Sequence, residues 1–345
     1  MNTSLGKQLA ALLLCALITL GGCQQRTGES PPQETATGVK PVEPQKVLPR
    51  SHRELHDIFL AHNYDWDTLT EGVPPIVLEE LPRDLGRITQ IKDRKRIFFL
   101  SLLPLVLMAN EEISAQREKV LEICRIHDAG EQLSDEQLET IEETLFDYKV
   151  DGDPLNDRAV RSNLLKRLDV IPPALALAQA ATESAYGTSR FARMANNLFG
   201  EWTFIPGTGL VPEDRPEGET YEVRRFPSLY DSVRSYMRNI NTHWAYHSLR
   251  EARARQRAQE RPLRGMDLAQ GLRLYSARKE AYVEEIRAII SRNRLTRLAS
   301  TFLRGTADEP EPPLPEEEPI QAGLFSTGNF ASRNLALATR QPREE

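Results

Sequence analysis

From Ile171 to Ser189 the chain carries a single charged side chain, Glu183, although 27% of all its residues are charged. A run of Ala, Leu and small polar residues this sparsely charged suits a helix enclosed by the rest of a fold. Pro172 and Pro173 fit its first turn, where a missing N–H is no loss, and Gly187 fits its exit. The pattern predicts a helix from Ala174 to about Tyr186. Glu183 would then lie among Ala176, Ala180 and Tyr186, with no cationic partner in the segment and Gln179 four residues earlier on its face. Poor solvation favours a neutral carboxyl group, so its pKa should rise.

A carboxylic acid that keeps its proton near neutral pH is what a glycosidase uses to protonate a leaving oxygen. On the helix alone, a Glu pointing into solvent is the simpler reading. The residues that follow change this. The segment reads Gln179-x3-Glu183-Ser184-x2-Gly187-x-Ser189-x6-Asn196-Asn197-x-Phe199-Gly200. It resembles the glucosaminidase family of peptidoglycan hydrolases, and in particular its bacterial Bax-like group. The stretches YEVRRF and DSVRSYMRNINTH, starting at Tyr221 and Asp231, share that resemblance. It spans Leu168 to Leu303 and extends more loosely into the residues before.

The resemblance implies a mainly helical, lysozyme-like α+β fold with a small β lobe as the second wall of a sugar-binding cleft. It implies cleavage of the peptidoglycan glycan strand after N-acetylglucosamine, with Glu183 as general acid and no cofactor or metal. Ser184, Gly187 and Ser189 fall in the family's helix-ending turn, and Asn196 to Gly200 where its chain enters the β lobe. Gln179, Ser184, Asn196, Asn197, Phe199, Trp202, Glu219 and Tyr282 are the candidate substrate contacts. For the Asn pair, side-chain hydrogen bonds within a turn are the competing role; for Trp202 it is packing against stacking on a pyranose ring. The family also places a Tyr near the acid. Tyr275 matches that position best and Tyr282 second, although SARKEAY follows Tyr275 where many relatives have a turn containing Asp-Pro.

A second catalytic group is open. An inverting mechanism needs a carboxylate base across a water molecule from the acid, whereas in substrate-assisted families the acetamido group of the sugar attacks. Glu213, Glu219 and Glu222 are the carboxylates of the expected β excursion. Glu222 is preferred, because it lies in a strand-like stretch that would hold a base more rigidly than a loop. A lytic transglycosylase or muramidase on the same fold, and a non-catalytic peptidoglycan-binding scaffold, are the alternative functions.

The N-terminus reads as a targeting segment. Lys7 precedes an apolar run from Leu9 to Leu20, too short to span a bilayer. Leu20-Gly21-Gly22-Cys23 resembles a bacterial lipobox, which implies cleavage before Cys23 and acylation of its thiol. Gln24 in place of Asp implies the outer membrane, with the domain facing the periplasm of a Gram-negative cell. The expected order is a signal peptide (1–22), a lipid-anchored disordered linker (23–50), a helical N-terminal region (51–166), the glucosaminidase domain (167–303) and an acidic, Pro-rich disordered tail (304–345). Cys124 is left alone in the mature chain, so no intrachain disulfide is expected. The net charge of −6 argues against a dedicated nucleic-acid binder. The apolar stretch Ile97 to Ala109, broken by Ser101 and Pro104, reads as a core helix. His52 and His56, four residues apart, read as a solvated face.

Overall fold

A computed structural model describes residues 43–305. The expected signal peptide, Cys23, most of the linker and the acidic tail beyond residue 305 lie outside the described residues. Strand β1 (Gln45–Val47) falls within the stretch expected to be linker, and it pairs in parallel with β2 (Ile76–Leu78). Helix α1 (His52–Ala61) lies between them in sequence, opened by the Ser51 hydroxyl, which accepts from the Glu54 N–H. His52 is not on a solvated face: Asp84, from a distant turn, takes its Nδ1 at 2.8 Å and its backbone N–H at 2.8 Å.

Helix α2 (Ile91–Asp128) is long and apolar enough to cross a membrane by length and composition. Here its apolar stretch is enclosed by protein, with Phe98, Leu102, Leu103 and Leu105 fully buried. Each such side chain contributes about 1.5–3 kcal/mol to folding. Pro104 sits inside this helix and cannot donate to the carbonyl of Leu100. The buried Tyr64 hydroxyl donates to that carbonyl instead, at 3.0 Å. A break in the helical ladder is thus closed from a neighbouring loop, as burial demands.

Helices α3 (Asp135–Tyr148), opened by a capping box at Ser134, and α4 (Arg158–Arg167), opened by Asp157, follow. Helix α5 (Pro173–Glu183) is the predicted buried helix, and every residue from Ala174 to Ala181 is enclosed. It ends at Glu183, earlier than the pattern predicts. Ala185, Tyr186 and Gly187 then take three successive left-handed conformations, costly for Ala and Tyr. The turn is held by packing: the Tyr186 ring meets Phe98 and Phe99 of α2 edge-on, both at 5.8 Å. Gly187 is required, because a Cβ there would come within 2.6 Å of Leu81 Cδ1.

After α6 (Arg190–Ala195) come β3 (Trp202–Thr203), β4 (Gly209–Leu210) and β5 (Glu222–Arg224), which form one small antiparallel sheet in the order β3-β5-β4. Helices α7 (Leu229–Thr242), α8 (His247–Ala258), α9 (Gly265–Leu268) and α10 (Glu280–Arg292) complete the fold. Helix α5 packs against α2 and α10, and α7 against α2. One hydrophobic core therefore includes residues on both sides of residue 167. The architecture is α+β and mainly helical, a lysozyme-like domain with a small β lobe, preceded by a helical region.

A buried carboxylate ties α4, α5 and α8 together. Asp169 accepts from Arg257 at 2.7 Å and lies 3.7 Å from Nε of Arg253, itself fully enclosed. Burial pushes the Asp169 carboxyl up, but the guanidinium groups of Arg257, Arg253 and Arg117 outweigh it and hold it below the usual range. Arg253 also donates to the carbonyls of Lys166, Asp169 and Val170. The fold closes where Val73 bridges Leu303: Val73 N–H donates to the Phe302 carbonyl at 2.8 Å, and Arg304 N–H to the Val73 carbonyl at 2.9 Å.

Candidate active site

Glu183 occupies the last position of α5, where the helix leaves the core. The side chain is half-buried, and burial pushes its carboxyl above the usual range. Two groups work against that rise: the Tyr282 hydroxyl, which donates to Oε1 at 2.8 Å, and the more distant positive charge of Arg278. The sequence expectation of a desolvated acid agrees with this environment.

Behind the carboxyl lies a relay of buried polar groups. Tyr236 of α7 donates to Gln179 Oε1 at 2.6 Å, Gln179 Nε2 donates to the Tyr282 hydroxyl at 3.1 Å, and Tyr282 donates to Glu183. Gln179 and Tyr282 are fully enclosed. They orient the acid and present no surface to a sugar, unlike the substrate contacts expected of them. Tyr275, expected beside the acid, donates to the Phe199 carbonyl at 3.1 Å, and its ring stacks on Tyr282 with centroids 5.4 Å apart. Tyr282 is thus the tyrosine that touches Glu183. Tyr246 packs against Tyr275 at 5.9 Å. Burial pushes its hydroxyl up to about 12, and the negative charges of Glu183 and Glu201 add to that rise.

The helix-ending turn and the Asn pair are structural in this geometry. Ser184 is buried; its hydroxyl donates to the Ala180 carbonyl and accepts from Gly187 N–H at 2.8 Å. Asn196 takes a left-handed conformation at the end of α6 and donates to the carbonyls of Phe226 and Pro227. Asn197 clasps the β lobe: its Nδ2 donates to the Glu201 and Arg224 carbonyls, both at 2.8 Å, and its Oδ1 accepts from Glu201 N–H. Phe199 is buried, stacked on Tyr236 at 3.9 Å. The chain entering the β lobe is thereby fixed to the helices that carry the acid.

Glu222 does not stand free as a base. Its Oε1 accepts from Gly207 N–H at 3.0 Å and its Oε2 from Gly209 N–H at 2.8 Å, which folds the β3–β4 loop around it. These donors hold its carboxyl below the usual range and so make it a weaker base. Glu219 is exposed in a turn, its N–H donating to the Pro216 carbonyl, and Glu213 is exposed beside Arg190 at 3.4 Å. Trp202 is 57% exposed and lies parallel to Tyr221, with centroids 4.5 Å apart. Of the expected sugar contacts it offers the most ring surface.

Sequence reasoning passed over Tyr236, Tyr246 and Glu201. The signal for Glu201 was present: it is the first charged residue after Arg193 and directly follows the Asn-Asn-Leu-Phe-Gly run. Its carboxyl is pushed above the usual range by burial, against the pull of Ser235 and Arg224. Among the described residues no group of three or more His, Cys, Asp or Glu side chains is placed to hold a metal ion.

Residues 161–295 match the family described as mannosyl-glycoprotein endo-beta-N-acetylglucosaminidase, the glucosaminidase family. The chain is also similar to the protein bax of Escherichia coli (strain K12), with 28% identity over 211 residues that cover 61% of this chain and 74% of that one. The chain thus carries a domain similar to the glucosaminidase family and resembles a Bax-like protein over a longer stretch. No solved structure matches it. The glucosaminidase match begins within α4 and ends just after α10, so it includes Glu183, the tyrosine relay and the whole β lobe. The match supports a glycan-hydrolase role for this domain.

Proposed function

We propose that the protein hydrolyses the β-1,4 bond that follows N-acetylglucosamine in the glycan strands of peptidoglycan, with Glu183 as general acid. The observation that carries this reading is the setting of Glu183: half-buried at a helix end, raised in pKa by burial, and oriented by the Tyr282 hydroxyl at 2.8 Å. A neutral carboxyl group so placed donates its proton to the glycosidic oxygen as the bond to C1 breaks. The Trp202–Tyr221 pair offers an aromatic face on which a pyranose ring of the strand stacks. Leu20-Gly21-Gly22-Cys23 supports placing the protein at the outer membrane, acylated on Cys23 and facing the periplasm, where peptidoglycan lies within reach.

One observation favours a second reading. With both oxygens of Glu222 committed to the hairpin, Glu183 alone would suffice for a lytic transglycosylase, which releases a 1,6-anhydro sugar. Mass spectrometry of digested murein separates the two. A reducing N-acetylglucosamine end supports the hydrolase, and an anhydro-muramyl end the transglycosylase. Glu183→Gln is expected to abolish release of soluble fragments from murein while leaving the protein folded. Full activity in that folded variant would overturn the assignment of the acid.

A further inference from the structure

We propose that Glu201 is the second carboxyl group of the cleft and takes the proton from the attacking water. This rests on the assignment of Glu183 as the acid. Four observations lead to it. First, the Asn197 clasp and the pairing of Arg224 N–H with the Glu201 carbonyl at 2.9 Å fix the Glu201 backbone where the helical lobe meets the β sheet. Second, two residues earlier, the Phe199 carbonyl accepts from Tyr275, whose ring stacks on the Tyr282 that holds Glu183. Third, the ring of Tyr246 packs 5.9 Å from that of Tyr275, and the charges of both Glu183 and Glu201 add to the rise of its hydroxyl pKa. Fourth, the carboxyl is only half satisfied. Oε2 accepts from the Ser235 hydroxyl at 2.7 Å and lies 3.7 Å from Arg224, whereas Oε1 is enclosed and has no hydrogen-bond partner within the protein.

A buried carboxylate oxygen without a donor is uncommon in folded proteins, and a catalytic role is one of the uses that accounts for it. Its surroundings suit a base. The side chain is 17% exposed, and burial raises its affinity for a proton. Arg224 from β5 and the Ser235 hydroxyl from α7 keep the charged form accessible. Glu222 has the opposite setting, with both oxygens occupied by backbone amides.

In the step itself, the water oxygen bonds to C1 as the bond from C1 to the glycosidic oxygen breaks, and that electron pair leaves with the oxygen. The proton of Glu183 passes to the leaving oxygen, and a water proton passes to Glu201. One water is consumed, Glu183 becomes charged and Glu201 neutral. The new reducing end has inverted configuration at C1.

The test compares folded full-length variants on soluble, uncross-linked murein glycan strands. Glu201→Gln is expected to lower kcat by about 100-fold or more and to erase the acidic limb of the pH profile, where protonation of the base stops the wild-type protein. Glu222→Gln is expected to raise KM through the hairpin while keeping that limb. In Glu201→Ala, added azide is expected to restore turnover and to appear as a glycosyl azide by mass spectrometry, which a purely structural residue would not allow. Proton NMR of fresh wild-type product is expected to show inversion. Retention of configuration, or a wild-type rate in Glu201→Gln beside an inactive Glu183→Gln, overturns the proposal and leaves the acid in place. An active Glu183→Gln would instead sink the acid assignment. Should Glu201→Gln fail to fold, Ser235→Ala serves. Loss of the hydroxyl on Oε2 is expected to move the acidic limb to higher pH, and an unmoved limb overturns the proposal.

Discussion

Replacing Tyr282 by Phe keeps the ring that stacks on Tyr275 and removes one hydroxyl, the donor to Glu183 Oε1 at 2.8 Å. A hydrogen bond to a charged group is worth about 1.5–3 kcal/mol. This one stabilises the carboxylate and so opposes the rise caused by burial. Without it, Glu183 holds its proton more tightly. Every 1.4 kcal/mol lost from the charged form raises the ratio of protonated to ionised acid about tenfold. If Glu183 is the general acid, activity falls as pH rises through its pKa. The alkaline limb of kcat/KM for murein clearance should therefore move to higher pH in Tyr282→Phe. The variant also leaves Gln179 Nε2 without its acceptor, so the melt should drop, but a loss of stability alone does not displace a pH limb. A limb that stays in place, or moves towards acid, in a folded Tyr282→Phe would refute the account of how this site tunes its acid.

Three further outcomes follow from the same contacts. Glu183 has a raised pKa when folded, so the native state binds its proton more tightly than the unfolded chain does, and the stability it contributes falls as pH rises from the unfolded value to the folded one. Glu183→Gln should therefore melt with the wild-type protein at pH 4 and above it at pH 8. Asp169→Asn strips the buried Arg253 of its counter-charge and should cost about 3–5 kcal/mol in urea unfolding. Because the Asp169 pKa is lowered, that contribution is present above its unfolded value and is lost as pH falls through the folded one, so variant and wild type should converge in acid. Tyr64→Phe should cost about 1–3 kcal/mol by leaving the Leu100 carbonyl unmet. Pro104→Ala restores a local N–H and should recover part of that loss, a coupling that a double-mutant cycle in urea would read.

Much of the site was legible because it is local. The single charge between Ile171 and Ser189, the proline entry and the spacing to Asn196-Asn197 are written along one stretch, and helix α5, the burial of Glu183 and its raised pKa agree with them. The end of the helix was not legible. Tyr186 continues the apolar pattern, yet aromatic packing against Phe98 and Phe99 holds it in a left-handed conformation. The tyrosines resisted for a related reason. The resemblance ranks Tyr275 ahead of Tyr282, and only packing in three dimensions puts the hydroxyl of Tyr282 on the acid. Glu222 looked free because the partners of its carboxylate are backbone amides, which no side-chain pattern reveals. Residues 45–47 looked like tether because three residues are too few to show alternation; β2 makes them a strand.

The ledge formed by β1 with β2, and by Val73 with Leu303 and Arg304, has a mechanical consequence. Arg304 also grips the carbonyls of His62, Asn63 and Glu71, so the incoming and outgoing chain are moored to adjacent stretches of backbone. A tug on either strand is met in shear by this mooring before it reaches α5 or the tyrosines. The alignment of the acid with its tyrosines is thereby set apart from strain applied at the ends of the described chain.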